Sequence, residues 1–68
     1  MSNIFVNTDV ASAKNSLDCW LITKPPKTDE EKDLYRGILW LNLRYERKNQ
    51  NRTSVVRMLR SAIKRMYK

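Results

Sequence analysis

Two adjacent prolines, Pro25 and Pro26, stand between Lys24 and Lys27 and break the chain where no regular element can cross. A proline holds its predecessor out of the helical region and has no amide hydrogen to donate, so two in succession enforce an extended connector. Directly after them, Thr28-Asp29-Glu30-Glu31 has the form of a capping box. Thr28 can accept from the Glu31 amide while Glu31 reaches back, and the acids sit at the positive end of the helix dipole. One element therefore ends before Lys24, and a helix starts at Asp29.

Upstream, residues 9–22 place Val10, Ala13, Leu17, Trp20 and Leu21 within about a 100° arc at the helical period, opposite Lys14, Asn15 and Asp18. This predicts a first helix. Downstream, residues 29–47 are apolar on two sides, with Leu34, Ile38, Leu41 and Tyr45 in one row and Tyr35, Leu39, Leu43 and Trp40 on another. Leu39, Leu41, Leu43 and Tyr45 also alternate with Trp40, Asn42, Arg44 and Glu46 as a half-buried strand would, so periodicity alone leaves 38–45 open between helix and strand. The upstream cap and the lack of a following hairpin turn favour helix. Two apolar sides predict that this second helix is central, flanked by the other two, or that one side is kept for a partner. Gly37, the only glycine, costs about 1 kcal/mol in a helix relative to alanine and predicts close packing against a neighbouring helix.

The polar run Lys48-Asn49-Gln50-Asn51-Arg52 separates this helix from a third, with Thr53 or Ser54 as N-cap. From Ser54 onward, over a helix near 54–67 and on to the last residue, Val55, Val56, Leu59, Ala62, Ile63 and Met66 fall on one side, Arg57, Ser61, Lys64 and Lys68 on the other, and Arg60 on the border. The opening Asn3-Ile4-Phe5-Val6 predicts a short extended arm, too brief for a sheet of its own. The fold class is all-α: a single small domain over 1–68, with helices near 9–22, 29–47 and 54–67.

At 68 residues a chain can bury only one small core, roughly 60% of its unfolded surface, which argues against a deep, water-excluding catalytic pocket. Cys19 is the only cysteine, so no intramolecular disulfide braces the fold, and beside Trp20 it reads as a small buried hydrophobe. There is no histidine, no metal-spaced cysteine cluster and no glycine-rich phosphate loop, and the acids from Asp29 to Asp33 already serve a helix start. No catalytic residue, cofactor or metal ligand is expected. The N-terminus lacks a basic region followed by a long apolar run, so neither a signal peptide nor a membrane span is expected, and the expected location is cytoplasmic.

Charge divides the chain unevenly. Residues 1–43 carry five basic side chains and six acids, whereas Arg44 to Lys68 carry nine basic side chains and a single acid, Glu46. The C-terminal part is thus +8 within a net +7, and a field of one sign attracts polyanions. On a helix, Arg57, Arg60, Lys64 and Lys68 form a stripe about 16 Å long that can follow phosphates. In a helix-turn-helix arrangement, Asn51, Arg52, Thr53, Ser54 and Arg57 would meet base edges or phosphates, with Arg60 and Lys64 on the backbone. The connector has no glycine and the second helix is long for that motif. A solvated helix face is the ordinary explanation for such a stripe, but a merely solubilised helix usually mixes signs, and no acid follows Glu46.

The expected function is a small non-enzymatic nucleic-acid-binding protein, duplex DNA favoured, with a regulatory or accessory role. Its candidate contacts are Arg52, Thr53, Ser54, Arg57, Arg60, Lys64 and Lys68. The alternative is an adaptor or inhibitor that docks on a larger protein, or on a second copy, through Leu39, Trp40 and Leu43. Membrane-surface binding ranks last, because the apolar side of the third helix has no Trp or Phe and is needed for the core.

Overall fold

The computed structural model describes residues 4–67 and has three helices in the order α1 (Val10–Thr23), α2 (Asp29–Asn49) and α3 (Thr53–Arg65). Residues 38–45 are helical, which settles the helix-or-strand ambiguity of that segment. At the start of α2 the Thr28 hydroxyl accepts from the Glu31 amide at 3.1 Å, as the capping box requires. The reciprocal half differs: the Thr28 hydroxyl donates to the Glu31 carboxylate, at 3.4 Å. Asp29, Glu30 and Glu31 fill the first turn, and Arg47 and Lys48 the last, so α2 carries charge of the favourable sign at both ends of its dipole.

The core comprises Val6, Ala13 and Leu17, then Tyr35, Leu39 and Leu43 of α2, then Val55, Leu59, Ala62, Ile63 and Met66. Helix α3 thus buries the face its periodicity marks out. It also takes the central place expected of α2. Helix α3 packs against both others, whereas the backbones of α1 and α2 nowhere approach closely. Those two meet through side chains: Trp20 stacks on Tyr35 with centroids 4.4 Å apart, and the Tyr35 hydroxyl donates to the Lys24 carbonyl at 2.6 Å. The two prolines thereby receive a side-chain brace across their turn.

Four expectations are corrected. Leu39 and Leu43 are buried and belong to the core, so they offer nothing to a partner, and of that trio only Trp40 is exposed. Cys19 is exposed, because it lies two positions beyond Leu17, which turns it about 200° away from the buried side of α1. Gly37 meets no neighbour among the described residues: a Cβ built there would find nothing within 4 Å. The residue that caps α3 is Arg52, and Thr53 is already helical. Of the N-terminal segment, Asn3 lies outside the described residues. Residues 4–6 have no regular structure, and Val6 is buried in the core while Phe5 lies 6.2 Å from the Trp20 ring.

Helices α2 and α3 lie side by side and antiparallel. The Arg36 guanidinium, early in α2, donates to the Met66 carbonyl at 2.9 Å and covers the Tyr67 ring at 4.6 Å. Arg36 and Met66 each lie about 20 Å of helix from the connector. The crossed arrangement of a helix-turn-helix would separate them by a comparable distance, more than one arginine can span. The helix-turn-helix placement of Asn51 to Arg57 therefore does not hold.

The connector is held by a polar clasp that periodicity does not reveal. Glu46, only 1% exposed, accepts from the Arg52 amide at 2.8 Å and from its guanidinium Nε and Nη2, both at 3.0 Å. The same guanidinium donates to the Val6 carbonyl at 2.7 Å and to the Thr8 carbonyl at 2.6 Å. One arginine thus joins the N-terminal segment, α2 and the start of α3. Asn42, also buried, accepts from the Phe5 amide at 2.8 Å and donates to the Ile38 carbonyl. Asn51, between the helices, takes a left-handed conformation with φ 50°, which asparagine tolerates better than most residues.

Candidate functional site

The clasp fixes where α3 begins, and with it the direction of each basic side chain. With Val55, Leu59, Ala62 and Met66 turned inward, Arg57, Arg60 and Lys64 must face water, and all three are exposed. Thr53 is exposed on the same side. Ser54 is exposed too, but lies with Arg57 in a shallow groove between α1 and α3. Lys14 and Arg65 also line that groove, and Asp18 is its one acid. Lys68 lies outside the described residues.

Ion pairing separates the bases into two groups. Arg36 pairs with Asp33, and Arg52 with Glu46. Among the described residues no acid lies within ion-pair distance of Arg57, Arg60, Lys64 or Arg65. The last turns of α2 add a second exposed group, Arg44, Arg47 and Lys48, which line one shallow depression together. Charge repulsion along these runs is relieved by solvent and ions, so the face attracts an anion with several charges.

Arg52 stands apart from the other candidate contacts. Every nitrogen of its guanidinium donates inside the protein, and the Glu46 carboxylate beside it raises its pKa further above the usual arginine value, chiefly through their hydrogen bond. The hydrogen bonds from Arg52 in turn hold the Glu46 carboxyl below the usual carboxylate range, outweighing its burial. The Arg52 amide and guanidinium are thus taken up inside the protein, and among the described residues the exposed, unpaired cations of α3 start at Arg57.

Sequence reasoning missed Glu46 as a buried anchor; its place as the single acid in the basic segment 44–68 is the signal that could have found it. Sequence reasoning did not bring Lys14 and Arg65 together, since they lie on different helices, nor did it single out Arg44, Arg47 and Lys48, although their spacing of three and four residues sets them on one side of α2. No group of three His, Cys, Asp or Glu side chains that could hold a metal ion converges among the described residues. No described helix is long and apolar enough to cross a membrane. No protein-family model, curated protein sequence or solved structure matches the chain.

Proposed function

We propose that this is a small non-enzymatic protein that binds nucleic acid, duplex DNA in preference to RNA, through the exposed face of α3, in a regulatory or accessory role in the cytoplasm. The observation that carries the reading is the set Arg57, Arg60 and Lys64, exposed on one side of a helix whose opposite side is locked in the core, with no acid paired to them. A rigid row of cations releases counterions from a phosphate backbone without first ordering a loose tail. The preference for duplex rests on a helix as the docking element, with no strand among the described residues to serve as an aromatic platform for splayed bases. Because α2 and α3 are antiparallel, the contact is with the backbone along the length of α3, and sequence discrimination is correspondingly slight.

The second reading keeps the same cations but sets them against carboxylates of a larger protein, with Trp40, 46% exposed, as the apolar anchor. Fluorescence anisotropy with labelled duplex DNA, and in parallel with polyglutamate, separates the two. The first reading expects DNA to bind more tightly at equal charge, and the triple variant Arg57→Ala, Arg60→Ala, Lys64→Ala to lose most of that binding. Equal or tighter binding of polyglutamate would favour the second.

A further inference from the structure

Helix α2 has an apolar row that the fold covers only in part, with Tyr45 packed on the edge of the core. Leu34 is 62% and Leu41 47% exposed, and Ile38 and Tyr45 between and beyond them are half-buried. Their spacing, four then three then four residues, is that of a coiled-coil seam about 16 Å long. Gly37 lies at the edge of this row, with open space in front of it. A glycine in mid-helix that packs on nothing among the described residues lowers the rim of the seam, where a second helix can come close.

The ends of α2 say which helix fits. Its first turn holds Asp29, Glu30 and Glu31 and its last holds Arg47 and Lys48, so a second α2 laid antiparallel meets acid with base at both ends. Continued by one step each way, the seam reaches Glu31 and Lys48. In the register that sets Ile38 against Leu41 of a second copy, Leu34 meets Tyr45 and Glu31 meets Lys48, with the same contacts repeated by the two-fold axis. We infer that the protein forms an antiparallel homodimer through the Leu34, Ile38, Leu41 and Tyr45 row of α2, a face distinct from the basic side of α3.

Sedimentation velocity over the micromolar to millimolar range tests this without reference to nucleic acid. The dimer should appear as concentration rises, and Leu34→Glu with Leu41→Glu should abolish it while leaving helix content unchanged. Gly37→Gln should weaken the dimer even though it raises helix propensity. In a Cys19→Ser background, Ile38→Cys with Leu41→Cys should cross-link two copies on oxidation. Leu34→Cys alone should not, because in this register its two copies lie about 16 Å apart along the axis. A monomer at every concentration overturns the inference and leaves the row to a different protein. A dimer that survives Leu34→Glu with Leu41→Glu places the interface elsewhere, and efficient cross-linking of Leu34→Cys alone makes it parallel.

Discussion

At the scale of single residues, Glu46 controls most. Removing its carboxylate leaves the Arg52 amide and guanidinium without their buried acceptor, and Glu46→Ala should lower the unfolding free energy by about 2–4 kcal/mol in a urea titration. Arg52→Ala should destabilise as well, since it also frees the Val6 and Thr8 carbonyls. Because the folded-state pKa of Glu46 is depressed, the native state binds fewer protons than the unfolded chain between the two values. This contribution is therefore complete above the unfolded value of about 4.3 and is lost as pH falls through the lower folded one. The urea midpoint of the wild type should drop over that acid range, and Glu46→Gln should remove this part of the drop. Gly37 behaves oppositely: with open space at its Cβ, Gly37→Ala should raise monomer stability by about 0.5–1 kcal/mol, measured at concentrations too low for association.

At the scale of elements, neighbouring positions on α2 part company. Leu39→Ala should cost roughly 2–5 kcal/mol, because Leu39 is fully buried, whereas Trp40→Ser should leave the melting temperature nearly unchanged. A strong loss in Trp40→Ser would show that its ring is held by the fold. The break at Pro25-Pro26, the cap at Thr28 and the one-sided apolar pattern of α3 are local signals, and all three helices follow from them. Which apolar side of α2 is buried is not local. Both sides of α2 satisfy helical periodicity, and the choice is made by distant parts of the chain: α3 packs on α2, Trp20 stacks on Tyr35, the Phe5 amide donates to Asn42 and Arg52 to Glu46, so that Tyr35, Leu39 and Leu43 are buried together with two polar residues, Asn42 and Glu46. Those polar residues hide the buried side from a hydrophobicity pattern, while Leu34 and Leu41 imitate it on the side that stays open. The exposed direction of Arg57, Arg60 and Lys64 was legible because α3 has a single apolar side. The engagement of Arg52 was not, since its carbonyl partners lie more than forty positions away.

At the scale of the whole molecule, the small core and the charge distribution combine into one surface. A body measuring 32 × 23 × 20 Å has little room for an enclosed site, but it carries an exposed cationic helix face of fixed geometry, the kind of surface the proposed polyanion contact needs. The triple variant Arg57→Ala, Arg60→Ala, Lys64→Ala should fold with wild-type stability or slightly better, because these side chains are exposed and repel one another. Binding and folding can thus be separated in one protein. The most direct test is the affinity for duplex DNA as a function of salt. Four to five phosphates neutralised by α3 and its neighbours predict a linear fall of log K with log salt, slope about −4, and a flattening by about three in the triple variant. No binding at low salt, or a slope unchanged in the triple variant, would contradict the assignment of this face.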